Sequence, residues 1–415
     1  MDIALLNTAA IPATAHAAKP AAARVAKPDK LPAKPKSFVP MVVKLAYRNL
    51  FHDRLSFMVT IVGIVFSVVL VAVQSGIYIG SQNKIAAILD QAPADLWIVP
   101  LGTKSYDDPS PLSGRERHMA ISTPGVADAE DMVVSFARWR KPEGGTNTVL
   151  LVGTAGDSPK ALPWNIEVGS REALDAPNTV AIDQSYFPDL GIKAVTDQAE
   201  INGVTVEVAA STRRIRSFTT LPYVFTSIEN ARRLTGVGQD QATYQRVHLA
   251  DGADIEAVRA EISARLPDTE VLTQDEFRSR SLAYWLFQTG AGAALIAGAV
   301  LGLIVGVVIV AQTLYSSTKD HINEFATLRA LGAGAGYIVK VILMQAVLSG
   351  LIGYTLGITL SMGVIEAAKD TKLTIVMTPE LAGALFAVTV GMCVFAAISA
   401  IIKVVRIDPA VVFSR

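Results

Sequence analysis

Cysteine is almost missing, aromatics make up 7% of the chain, and four long stretches carry no charge at all. One cysteine in 415 residues, Cys393, excludes an internal disulfide, so a soluble part must rest on its own hydrophobic core. No GxxxxGK[ST] phosphate loop occurs, which excludes ATP binding by that route. HExxH and GxSxG are absent too, and His16, His52, His118, His248 and His321 have no metal-ligand spacing. Asp107-Asp108 reads as a solvated turn before Pro109 rather than as a catalytic pair. The chain is therefore expected not to be an enzyme and to hold no cofactor or metal of its own. Nucleic acid is not an expected partner.

Charge is missing where a bilayer would forbid it. Leu55–Ile79 has none in 25 residues, Ser281–Thr318 none in 38, Val341–Ile365 none in 25 and Leu381–Ile402 none in 22. About 20 apolar residues cross a hydrocarbon core as a helix, so each run suffices. With no His, Asp, Glu, Lys or Arg inside them, an ion channel or proton-coupled carrier is disfavoured. A hydrophobic content of 51% and a charged content of 18% agree. The expected fold is an α-helical membrane protein with four transmembrane helices, at 55–79, 281–318, 337–365 and 381–402. An α+β periplasmic domain, residues 80–280, lies between the first and second helices.

The net charge of zero is a sum of opposites. Residues 1–54 carry nine Lys/Arg against three Asp/Glu, whereas residues 80–280 carry 20 against 28. Basic flanks mark the cytoplasmic side: Lys44, Arg48 and Arg54 precede the first run, Lys319, Arg329 and Lys340 follow the second, and Lys403, Arg406 and Arg415 follow the fourth. Both termini are thus expected in the cytoplasm and the acidic domain in the periplasm, with the protein in a cell inner membrane. Residues 1–40, with twelve Ala, six Pro and six Lys/Arg, read as a disordered basic tail. No apolar stretch before residue 55 suggests a secretory signal. Residues 41–54 read as an interfacial entry helix and 403–415 as a cytoplasmic tail.

Inside the domain, Ala94–Pro100 and Thr148–Val152 look like strands. Asn202-Gly203 joins Gln198–Ile201 to Val204–Ala209 as a hairpin, since Asn-Gly accepts the positive φ of a type I′ turn. Ser227 and Asp254 can cap helices over Ile228–Leu234 and Ile255–Leu266. The second run is too long for a membrane. At about 1.5 Å per residue its 38 residues give roughly 57 Å against a core of about 30 Å, so one helix should protrude into the domain. On it Gly298, Gly302 and Gly306 line one face. They suit either packing within the chain or a seam with a second copy. Gly290-Ala-Gly292 and Gly332-Ala-Gly334-Ala-Gly336 only superficially look like dinucleotide signatures.

Residues 319–336, between the second and third helices, are too apolar for a free loop and too short to span. A helix ending at Gly332 would place Asn323, Glu324 and Thr327 within about 100° of arc, with Arg329 opposite beside Ile322 and Phe325. A docking helix for a cytosolic partner is the economical account. Glu324, Leu328, Arg329, Ala330, Leu331, Gly332 and Ala333 fit an E-x-x-x-L-R-A-L/I-G-A pattern. That stretch resembles the coupling segment of MacB-like and FtsX-like ABC transporter permeases. Leu45-Ala-Tyr-Arg48-Asn49-Leu50 is similar to their entry segment, and Arg406-Ile-Asp-Pro409-Ala to their close. His321-Ile-Asn-Glu-Phe and Ala94–Pro100 are most similar to the DevC branch, which exports glycolipid-like molecules. MacB carries its own ATPase domain ahead of the first span; here a separate ABC ATPase subunit is expected, with ATP and magnesium bound there.

The resemblance implies an exporter permease acting by mechanotransmission. Glu324, Phe325, Leu328, Arg329, Leu331 and Gly332 would couple to the ATPase. The other implied partners are a second permease copy, a periplasmic membrane-fusion adaptor, an outer-membrane channel behind it, and the lipid bilayer. A lipophilic or glycolipid-like substrate would be moved in the periplasm. The alternatives are an FtsX-like regulator of a cell-wall hydrolase and a lipoprotein-release permease.

Overall fold

The structure is a computed structural model. It describes residues 41–155, 162–368 and 374–405, with the backbone alone at 329–330 and 403–405. The expected tail over 1–40, the closing Pro409-Ala element and the centre of the 366–380 loop lie outside the described residues.

The helices run in chain order as α1 (Met41–His52), α2 (Arg54–Gln91), α3 (Glu116–Ile121), α4 (Phe187–Leu190), α5 (Ile228–Thr235), α6 (Ile255–Arg265), α7 (Gln274–Ala283), α8 (Ala291–Asp320), α9 (Ile322–Ala330), α10 (Ala335–Ala368) and α11 (Pro379–Val405). Asp53 separates α1 from α2 and caps α2, its carboxylate accepting from the Ser56 N–H at 3.2 Å. Four helices, α2, α8, α10 and α11, are long and apolar enough to cross a membrane. They pack on a common buried cluster that includes Ile64, Val310, Ile342 and Ala397.

The helix that continues unbroken into the domain is the first rather than the second. α2 continues unbroken for 38 residues, about 57 Å against a core of about 30 Å. The second run is interrupted instead. α7 passes into a π-helical turn at Tyr284–Gln288, and Gly290 takes φ +79° before α8 begins. A left-handed residue cannot continue a right-handed helix, and glycine adopts it without a Cβ penalty. Gly290, passed over in the sequence as part of a false nucleotide motif, is thus a helix break.

Between α2 and α7 lies the α+β domain. Its strands are β1 (Leu96–Pro100), β2 (Val126–Arg140), β3 (Thr146–Thr154), β4 (Ile166–Val168), β5 (Thr179–Asp183), β6 (Gln198–Ile201), β7 (Val204–Thr212), β8 (Tyr223–Ser227), β9 (Tyr244–Leu249) and β10 (Thr269–Thr273). They form a ten-stranded sheet in the order β10-β1-β9-β2-β3-β8-β5-β7-β4, with β6 pairing β2 and β7. Asn202 and Gly203 both have positive φ in the β6–β7 hairpin, and Ser227 and Asp254 cap α5 and α6. One face of the sheet buries Trp97, Phe225, Tyr244 and Phe277 together with Ile88 and Leu89 of α2. The other lies under α4 and α5, where the Trp139 indole N–H donates to the Leu190 carbonyl at 3.0 Å.

The α2 stalk is thereby part of the domain core. Asp107 also turns inward: it is half-buried and accepts from the Tyr223 hydroxyl at 3.4 Å, so this turn is not simply solvated.

Candidate functional site

At the far end of α8 from the domain, the chain must reverse into α10 with a sequence too apolar to lie in water. α9 solves this by turning one side inward. Phe325 is 2% exposed and shares the buried cluster of the spanning helices with Ala46, Leu314 and Ile338. Burying a phenylalanine ring is worth about 2–3 kcal/mol, enough to fix so short a helix. Buried His321 adds a second anchor. Its ring centroid lies 5.8 Å from that of His52, and its Nδ1 lies 3.2 Å from Glu324 Oε1. Hydrogen bonds from the Ser56 hydroxyl and N–H hold the nearby Asp53 carboxyl below the usual range.

The other side of α9 faces out. Asn323, Glu324 and Thr327 are exposed, and the Thr327 hydroxyl donates back to the Asn323 carbonyl at 2.8 Å. Beyond the helix the Ala333 N–H donates to the Leu328 carbonyl at 2.9 Å, with Gly332 at φ +94° between them. This is a glycine-dependent helix stop, and it projects Leu331 at 80% exposure.

The six expected coupling residues therefore separate. Glu324 and Leu331 stand exposed, and Gly332 shapes the turn. Phe325, expected at the docking surface, is an internal anchor because its ring gains more from the core than from water. Leu328 is half-buried against the same core. The Arg329 side chain lies outside the description.

The glycine ladder faces α2 of the same chain. A Cβ on Gly298 would come 2.6 Å from Gln74 Nε2, on Gly302 2.9 Å from Leu70 Cδ2, and on Gly306 2.5 Å from Ser67 Oγ. The Ser67 hydroxyl donates to the Gly302 carbonyl at 2.8 Å, a contact only close backbones allow. With α2 in place, this face has no room for a second copy. A ladder missed in the sequence, Gly353 and Gly357 on α10, admits Ile64 and Val68 from a neighbouring face of α2. Its four-residue spacing was the available signal.

At the domain end, Gln274 ties the two connections together. Its amide donates to the Leu89 carbonyl of α2 at 2.6 Å, while its oxygen accepts from the Trp97 indole at 2.6 Å. Arg278 of α7 pairs with Asp90 of α2 at 2.9 Å. These contacts tie the top of α2 to the start of α7 and to β1.

Residues 57–265 match the MacB-like periplasmic core domain, and residues 296–409 match the FtsX-like permease C-terminal domain. An uncharacterised ABC transporter permease of Mycobacterium bovis is 23% identical over 361 residues, covering 87% of this chain and 95% of that one. Another, of Mycobacterium tuberculosis, is 22% identical over 376 residues, covering 89% and 98%. Among solved structures, the periplasmic region of MacB from Actinobacillus actinomycetemcomitans aligns with 47% of this chain and 96% of its own, at 11% identity and a TM-score of 0.35. The extracellular domain of the noncanonical ABC-type transporter YknZ from Gram-positive bacteria aligns with 43% and 99%, at 13% identity and a TM-score of 0.33.

Proposed function

This chain belongs to the ABC transporter permeases with a MacB-like periplasmic core domain and an FtsX-like permease domain, and from that premise we propose that it couples a partner's ATP hydrolysis to mechanical work on the domain. The partner is a separate ABC ATPase, which binds ATP and magnesium. Both chain termini lie on the ATPase side of the inner membrane and the domain lies in the periplasm. Two permease copies assemble with two ATPases. The substrate is lipophilic or glycolipid-like and passes from the domain into a periplasmic adaptor and an outer-membrane channel.

The observation that carries this reading is the two-sided character of α9: buried Phe325 fastens it to the spanning helices, while Glu324 and Leu331 stand exposed. A partner that displaces α9 displaces the ends of α8 and α1 with it. Nothing need pass between the helices, which suits spans without ionisable groups.

The test is co-purification of the ATPase and substrate-stimulated turnover in nanodiscs. Glu324→Lys and Leu331→Asp should each weaken both without altering membrane insertion; normal values in both variants would remove α9 as the coupling element. Orientation is checked separately. With Cys393 buried, a cysteine placed at exposed Glu143 should label with an impermeant thiol reagent in spheroplasts. One placed at Thr327 should label only after permeabilisation.

A further inference from the structure

Where the stalk of α2, the domain-side end of α10 and the sheet domain meet, there is a cavity of about 880 Å³. Four cationic side chains line it: Lys84 of α2 with Arg213, Arg214 and Arg216 of the turn after β7. Three arginines in four residues run against a domain that carries 28 Asp/Glu to 20 Lys/Arg over residues 80–280. Lys84 and Arg216 are close enough for their like charges to interact.

Among the described residues, the lining has two carboxylates, and both are committed elsewhere. Asp90 pairs with Arg278. Asp183, 2% exposed, accepts from the Ile215 N–H at 2.7 Å, the Ser185 N–H at 3.0 Å and the Ser185 hydroxyl at 2.6 Å. Its charge is spent on holding the arginine turn from beneath. The turn is pinned a second time where the Tyr186 hydroxyl accepts from the Ser217 N–H at 3.1 Å. Arg213 reaches Glu167 at 3.2 Å, whereas Arg214 makes no hydrogen bond or ion pair among the described residues. Arginines offer planar, bidentate donors that match phosphate oxygens.

Position relative to the bilayer adds the second half of the argument. The uncharged run of α2 ends at Ile79 and Lys84 follows five residues later, about 7 Å further along the helix. The run of α10 ends at Ile365, which lines the same cavity together with Ile375. Just before it, Leu360, Met362 and Val364 are exposed on α10, so the apolar wall continues into a lipid-facing surface. Cations thus stand at headgroup level above an apolar wall that a free anion would not use.

We propose that this cavity binds an anionic, phosphate-bearing amphiphile from the domain-side leaflet, its head held by Lys84 and the arginine turn and its chain lying along Ile365 and Ile375. The site stands whether or not its occupant is transported, and its test is equilibrium binding rather than coupling. A bound lipid would bridge the membrane end of α10 to the domain.

The experiment titrates the purified full chain, in a neutral detergent, with phosphatidylglycerol, phosphatidylcholine or inorganic phosphate, read by native mass spectrometry and by thermal shift. Phosphatidylglycerol should be retained and should raise the melting midpoint. Arg214→Glu should weaken it about tenfold or more, the scale of a lost charge-assisted contact. Arg214→Lys should retain most of the binding, and Arg115→Glu, which breaks an exposed pair with Asp268, should leave it unchanged. Should Arg214→Glu fail to fold, Arg214→Gln carries the same comparison. Equal retention of phosphatidylcholine, or undiminished phosphatidylglycerol binding in the Arg214 variants, overturns the site. A response to inorganic phosphate as large as that to phosphatidylglycerol overturns its amphiphilic half.

Discussion

The sequence assigned Asp107 to a solvated turn and Phe325 to a docking surface, and each is held inside by neighbours that sequence spacing does not reveal. Burial pushes the Asp107 carboxyl up to about 6, against the smaller opposing effect of the Tyr223 hydroxyl. A carboxyl whose folded value is raised favours folding while it is protonated. That contribution is complete below about pH 4 and is lost as pH rises through 6. The folded state above pH 6 thus carries a penalty of up to roughly 3 kcal/mol. Thermal unfolding of the full chain, followed by tryptophan fluorescence from pH 5 to 8, should show the midpoint falling. Asp107→Asn should flatten that profile and melt higher at pH 7.5; an unchanged slope would place the pH dependence elsewhere. Phe325→Ala should cost about 3–5 kcal/mol, read as lost stability and loosened α9, with Leu331 still available to a partner.

At the scale of elements, the apolar runs made all four spanning helices legible, because a bilayer leaves few other uses for 22 to 38 uncharged residues. The Asn202-Gly203 hairpin and the caps at Ser227 and Asp254 were equally readable, since their chemistry is local. What stayed hidden depends on which element lies opposite. The spacing of Gly298, Gly302 and Gly306 announces a close neighbour without naming it, and α2 proves to be that neighbour. Gly302→Leu should therefore melt the monomer, costing about 1–3 kcal/mol through overpacking against Leu70. Crosslinking between copies should fall only in step with that loss; a selective loss of crosslinking in a stable chain would restore the seam between copies. Likewise, Gly290→Ala forces a left-handed alanine and should cost about 1–2 kcal/mol at the break between α7 and α8.

For the whole molecule, the proposed coupling route runs through two packed joints and one break in a helix. Phe325 fixes α9 to the spanning helices, Gln274 fixes α2 to β1 and α7, and the break at Tyr284–Gly290 lies between α7 and α8. Gln274→Ala would strip the Trp97 indole of its acceptor, a loss of about 1–3 kcal/mol for a buried donor. The domain should stay folded while substrate-stimulated ATP turnover drops; full stimulation would mean that α2 does not drive the domain through this residue. β1 and β10 pair side by side, Leu96 across from Thr273, so the chain enters and leaves the domain at adjacent points of one sheet edge. A module attached in this way behaves as a cassette. Its outer face could diversify, or be exchanged for a related domain at two neighbouring splice points, without rerouting a single span.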